Sequence, residues 1–390
     1  MASFPIVSEA SLQHLERQFQ ANFESGADLG AAVSVWQGER ELLHLAGGFM
    51  DRERARAWTA ESLVPVWSCT KGLAAATALA ALGEAGIGLE TPVAAVWEEF
   101  GQVGKEAITL GEVLSHQAGL AALSDPPSVD DYAAVIQALE KEAPRWATGH
   151  GYHVRTFGFL LEEIVRRVTG ASSLGAYWRE ALAEPLGLDA WMGLPESEDD
   201  RVAELVPGRF GSENEEEARF YRSLGDRDGL TAQAFGSPRG LHSVGALNDP
   251  KVWRVGYPAF GGVASARGLA AFYGMLAHGG RCAGVRFFDE SSLRAMETPL
   301  TQGQDQVFLR QTAFAAGFMK DPVDASGAKV RALFGPNSRA FGHPGAGGSL
   351  AFADPSMGIG FAYVMNQMER SVFPTKKALG LVACLYAETG

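Results

Sequence analysis

Ser68 and Lys71 stand three residues apart in "VWSCTKGLAAATALA", which runs from Val66 to Ala80. On a helix that spacing puts both on one face, about 5–6 Å apart at Cβ. A serine hydroxyl is a weak nucleophile until a neighbouring base takes its proton, and a neutral lysine amine is such a base. Lysine's ordinary pKa is about 10.4, so service near neutrality takes roughly 4 kcal/mol of differential stabilisation. Burial and a neighbouring cation or donor supply that kind of shift. The start of a helix also favours negative charge developing at Ser68. The tetrapeptide alone is weak, because an N-cap serine and a snorkelling lysine give the same letters.

Two further stretches add chemistry. "GHGYHVRTFG" (149–158) sets Tyr152 in a loop ahead of an amphipathic helix, and "FGHPGAGGSLAF" (341–352) sets His343 and a glycine cluster ahead of a strand. The pattern has no GxSxG elbow, HExxH, P-loop or complete GxGxxG, so no metal or cofactor is expected.

These three stretches, in this order, resemble the serine β-lactamase and penicillin-binding superfamily, above all its class C-like esterase branch, the family VIII carboxylesterases. "LSHQAGL", "EPLGLD" and "GGVASARGLAAFY" share that resemblance, which covers nearly the whole chain. It implies that Ser68 is the nucleophile, Lys71 its proton acceptor and Tyr152 a base or relay. It also implies an oxyanion hole made by the backbone N–H groups of Ser68 and Ala346. His343 and Gly345 fall where the family has the lysine and glycine of its KTG motif. Two departures matter. Val154 replaces the asparagine of YxN, and His343 replaces a lysine that recognises carboxylates. Both changes weaken recognition of a carboxylate-bearing amide and leave acyl transfer intact, as in the esterases. A β-lactamase, a D-amino-acid amidase or peptidase, and a non-catalytic binder on the same fold are the rivals.

Other residues have blander readings. His343 divides between a structural histidine and a substrate-pocket donor. His116 and His153 read as loop braces, and Cys69 as a small buried hydrophobe. Tyr257 and Phe260, before "GGVASA", are candidates for an acyl pocket. The "ENEEE" run at 213–217 reads as a solvated face.

The elements that must position these groups are legible in part. Leu12, Leu15, Phe19 and Phe23 have helical spacing, with Gly26 as a stop. "AAVSVW", "QGER" and "ELLHLAGG" read as a β-hairpin. Thr109 and Glu112 form a capping box, with Gly119 as the exit. "VRTFGFLLEEIVRRVTG", "SARGLAAFYGMLAHGG" and "KALGLVACLYAE" read as helices, and "GSLAFADPSMGIGFAYVMN" as strand, turn and strand. The stretch 194–256, rich in Glu, Asp, Gly and Pro, reads as long loops. Strands at both ends and helices between predict an α+β fold: one antiparallel sheet flanked by helices, with an inserted, mostly helical lobe. Residues 1–66 and 256–390 are expected to form the sheet lobe, residues 67–255 the helical lobe, and the active site the cleft between them.

The 390 residues are 46% hydrophobic and 20% charged, with a net charge of −13. That acidity disfavours nucleic acid and anionic membranes as partners and leaves a small-molecule ester as the expected one. Three scattered cysteines and a start without a basic, apolar leader point to the cytoplasm.

Overall fold

In the computed structural model, residues 4–208, 215–369, 371–374 and 376–387 are described. Ser8 caps α1 (Glu9–Glu24) by accepting a hydrogen bond from the Ser11 N–H, and Leu15 and Phe19 on its inner face are buried. The hairpin follows as β1 (Gly30–Gln37) and β2 (Arg40–Gly48). Next comes α2 (Thr70–Glu84), buried on nearly every side from Thr70 to Leu82. Its alanines and glycines make that possible, since a helix apolar all round belongs in a core. Helix α3 (Thr156–Thr169) packs against it. Gly170 stops α3 in the left-handed conformation, at φ 75°.

Among the described residues, the stretch expected to be long loops carries three helices, α4 (Glu215–Gly225), α5 (Leu230–Gly236) and the short Pro250–Val255, besides 3-10 turns. The acidic content of α4 hides a sparse apolar side: Phe220 is fully buried and Leu224 packs against the core. Glu213 and Asn214 lie outside the described residues. Glu216 is no idle surface charge, for its carboxylate pairs with Arg310 at 2.9 Å and Arg331 at 3.4 Å. The Thr109–Glu112 capping box is present, although its helix ends at Leu114 and Gly119 falls in the loop beyond.

Helix α6 (Ala266–Ala277) precedes the other strands of the main sheet, β3 (Thr301–Gln304), β4 (Gln311–Phe314), β5 (Met319–Lys320), β6 (Phe341–Pro344), β7 (Leu350–Asp354) and β8 (Ile359–Met365). Helix α7 (Lys376–Leu385) comes last. The eight strands form one antiparallel sheet in the order β2-β1-β8-β7-β6-β5-β4-β3. The N-terminal hairpin meets the C-terminal strands along β1 and β8, from Ala31 opposite Met365 to Gln37 opposite Ile359. Helix α6 packs on β1, β7 and β8, and α1 packs against α7. No helix among the described residues is long and apolar enough to cross a bilayer.

A buried ion pair ties the two chain ends together. Lys377 on α7 donates to Asp28 at 2.8 Å and to the carbonyls of Ala27 and Gln367. Tyr363 on β8 donates to both Asp28 oxygens. Removing one partner leaves an unpaired buried charge. Lys377→Met is therefore expected to cost about 3–5 kcal/mol in urea unfolding, whereas an unchanged midpoint would show the pair to be inert.

Candidate active site

The nucleophile candidate sits on a strained turn. Val64–Pro65 pairs with Val263–Ala264, and the chain then passes through Trp67 at φ 48°. Left-handed backbone on a bulky residue costs on the order of 1–3 kcal/mol and persists only where its surroundings hold it. Here Thr70 donates to the Trp67 carbonyl and accepts from the Gly262 N–H. The outcome is a short 3-10 turn, Trp67–Cys69, that leads into α2 with Ser68 at its mouth.

Lys71 is fully buried. Its Nζ lies 2.8 Å from the Val154 carbonyl, 2.8 Å from the Ala259 carbonyl and 3.4 Å from Ser68 Oγ. Burial, and secondly the positive charge of Arg155, holds the amine well below the ordinary lysine pKa. A neutral amine has two N–H donors and one lone pair. The two carbonyls can only accept, so they take both N–H groups. The lone pair is left for the third neighbour, the Ser68 hydroxyl. In that state the lone pair of the amine faces the Ser68 hydroxyl.

Tyr152 meets this pair from the loop before α3. Its ring lies under Lys71 Nζ, with 4.7 Å from the nitrogen to the ring centroid, and its hydroxyl is in hydrogen-bond contact with Ser68. Burial raises its pKa, so it is held as a phenol. The Asp305 carboxylate positions this loop by accepting from the backbone N–H of Tyr152 at 3.2 Å. Phe308 stacks on the phenol ring at 4.4 Å.

His343, on β6, completes the polar line. Its Nδ1 is 2.8 Å from the Pro344 carbonyl, which can only accept, so Nδ1 carries the proton. Nε2 is then a lone pair, and it faces the Tyr152 hydroxyl at 3.4 Å. Burial first, and Lys71 second, pulls the imidazole pKa down to about 3. His343 reaches the cavity as a neutral acceptor. In that tautomer its ring N–H is spent on Pro344, so what it offers the cavity is an acceptor.

Two residues bring backbone N–H groups to the same cavity. Ser68 and Ala346 both line the cavity, and neither N–H has a hydrogen-bond partner among the described residues. Gly345 stands behind them and does not line it. A Cβ there would come within 2.4 Å of the Val66 carbonyl, so glycine lets the end of β6 press against the nucleophile turn. The structure shows this packing part of Gly345; its expected part in substrate binding stays a proposal. Cys69 fastens the same junction, its thiol donating to the His343 carbonyl at 3.2 Å. Of the expected pocket pair only Phe260 lines the cavity; Tyr257 stacks behind it and ties its hydroxyl to Asp130 at 2.6 Å. The cavity holds about 1050 Å³.

The family model for Beta-lactamase matches residues 13–383. The chain belongs to the beta-lactamase family. A curated relative, "Esterase/beta-lactamase LipL" of Mycobacterium tuberculosis (strain ATCC 25618 / H37Rv), is 32% identical over 366 residues, spanning 90% of this chain and 80% of the relative. Among solved structures, a penicillin-binding protein homolog from Caulobacter crescentus is 34% identical with a TM-score of 0.83, and a family VIII carboxylesterase is 31% identical with a TM-score of 0.85. Each alignment covers 99% of this chain and 100% of the other. The fold is that of the beta-lactamase family, and the chain is a hydrolase-family enzyme with esterases among its relatives.

Within this beta-lactamase-family site, sequence reasoning missed Arg155. Its guanidinium donates to the carbonyls of Pro238, Gly240 and Leu241, and it shares the cavity wall. Among the described residues no carboxylate pairs with it, and its field acts on Lys71. The signal was present as a lone arginine after "YHV", but only the fold shows that it is buried. His153 and His116 brace loops behind Tyr152: the Leu120 N–H donates to His153 Nε2, and the His153 N–H to His116 Nδ1.

Proposed function

We propose that the protein is a carboxylesterase that cleaves small-molecule esters through an acyl-enzyme on Ser68. The observation that carries this reading is the Lys71 amine, stripped of solvent, with both N–H groups on carbonyls and its lone pair left for Ser68 Oγ. Ser68 attacks the ester carbonyl carbon while its proton passes to Lys71 Nζ. The carbonyl oxygen becomes an oxyanion between the N–H groups of Ser68 and Ala346. Each such donor is worth about 10²–10³ in rate. The ester C–O bond then breaks. Tyr152 gives its proton to the departing alkoxide and recovers one from the Lys71 ammonium. His343 Nε2 holds the phenol hydroxyl in line between turnovers. Water, deprotonated by the same amine, attacks the acyl-enzyme and releases the acid. The chemistry calls for no cofactor.

Esters are favoured over lactams because the third motif offers a neutral lone pair where a carboxylate would need a cation. The side chain at 154 is an apolar valine where an amide would bind an acylamino group. Purified protein assayed with p-nitrophenyl butyrate and a chromogenic cephalosporin decides the matter. The ester is expected to win in kcat/KM by about 100-fold or more, a ratio that loss of specific polar partners readily produces. Intact mass should show a butyryl adduct on quenching. Faster turnover of the cephalosporin would favour the lactamase reading instead, and no turnover of either would leave a binder.

Three unpaired cysteines, Cys69 buried and Cys282 and Cys384 half-buried, support a cytoplasmic location. Fractionation that placed the protein outside the cytoplasm would overturn it.

A further inference from the structure

The reaction scheme gives the cavity a direction. Tyr152 must protonate the leaving oxygen, so that oxygen lies within about 3 Å of the phenol hydroxyl. The alcohol half of the ester therefore extends from the Tyr152 end, where the wall is aromatic. Phe308 stacks on Tyr152 and meets Phe373 at 5.3 Å and Phe235 at 6.5 Å between centroids. Phe220, fully buried, backs Phe235 and Phe373 at 5.6 and 5.1 Å. Phe235, Phe308 and Phe373 all line the cavity, and Phe235 is only half-buried.

The wall is also fixed in place. The Asp305 carboxylate that anchors the Tyr152 backbone accepts from the N–H groups of Val307 and Phe308, each at 2.8 Å. One buried carboxylate thus locks the proton donor and the aromatic wall in register. Of the charged residues that line the cavity, Arg310 lies against this wall; it pairs with Glu216 and lies over the Phe373 ring at 4.1 Å. Thr312 spends its hydroxyl proton on Asp305. The cavity volume of about 1050 Å³ stands at the upper end of the range typical of ligand pockets. A short alkyl ester would leave most of it empty.

We infer that the wall of Phe235, Phe308 and Phe373 is the alcohol-binding site, and that its preferred substrates are esters of flat aromatic alcohols. The inference rests on the carboxylesterase reading with Tyr152 as proton donor. Its test uses two series with leaving groups of similar acidity. One holds the acyl group constant: ethyl, benzyl and 2-naphthylmethyl acetate. The other holds the alcohol constant: ethyl acetate, ethyl phenylacetate and ethyl 2-naphthylacetate. In the alcohol series kcat/KM is expected to rise about tenfold per added ring, and in the acyl series to change by less than about threefold. Phe235→Ala should lower the ratio of 2-naphthylmethyl to ethyl acetate about tenfold, with Phe235→Leu between it and wild type. A size preference confined to the acyl series, or an alcohol preference that Phe235→Ala and Phe373→Ala leave unchanged, would overturn the assignment. Hydrolysis of both series without any size preference overturns it while sparing the esterase reading. Hydrolysis of neither series overturns both.

Discussion

Ser68→Ala is expected to lower kcat for p-nitrophenyl butyrate by about 10⁶, the scale seen when a serine hydrolase loses its nucleophile. The same variant should take up no fluorophosphonate, while wild type labels once. The expectation is large because no other hydroxyl is poised to substitute. Tyr152 is held as a phenol by burial, and the Cys69 thiol, also raised in pKa by burial, is turned toward the His343 carbonyl. The change is sterically mild, so folding is not expected to suffer. Wild-type turnover by the variant would sink the acyl-enzyme on this residue and the whole reaction scheme with it.

Lys71→Met should reduce kcat by about 10³–10⁴, the upper end for loss of a positioned base. Lys71→Arg should not rescue it, because a guanidinium does not give up its proton in this range. In wild type, kcat/KM should rise with pH through the lowered native pKa of Lys71 and then level off, since the protonated amine cannot accept. The stability effect has the same sign. Between its native pKa and the ordinary value of 10.5, the unfolded chain binds a proton at Lys71 that the native protein does not. Stability therefore increases with pH across that window, by about 1.4 kcal/mol per pH unit for this one group. Lys71→Met removes the penalty. The variant should melt higher than wild type at pH 7, with the gap narrowing by pH 10. Equal melting at both values would mean that Lys71 is not neutral in the native protein.

The sequence carried some of this and concealed the rest for physical reasons. The β-branched and aromatic runs in "AAVSVW" and "GIGFAYVMN" and the apolar stripe of α3 are local patterns, and the fold has strands and a helix there. Helix α4 was hidden because a few apolar residues among many charges give little periodicity, and α5 because seven residues are too short to show one. Their burial depends on Phe308 and Phe373, which lie far along the chain. Ser68, Lys71 and Tyr152 could be picked out because residue type and order already narrow the chemistry. The side of the cavity that Tyr257 and Gly345 would take could not, since it is set by which atom comes behind which. The proton on His343 was equally out of reach: it depends on one carbonyl at 2.8 Å.

The pairing of β1 with β8 spans most of the polypeptide, from Ala31 to Met365. A ribosome adds roughly 5–20 residues each second, so β1 waits on the order of tens of seconds for the strand that will lie beside it. During that interval the serine and its lysine have already emerged, yet the segment that brings His343 and Ala346 has not. A nascent chain of this protein therefore stays silent, with an unpaired β-edge exposed to chaperones, until residue 365 has cleared the exit tunnel.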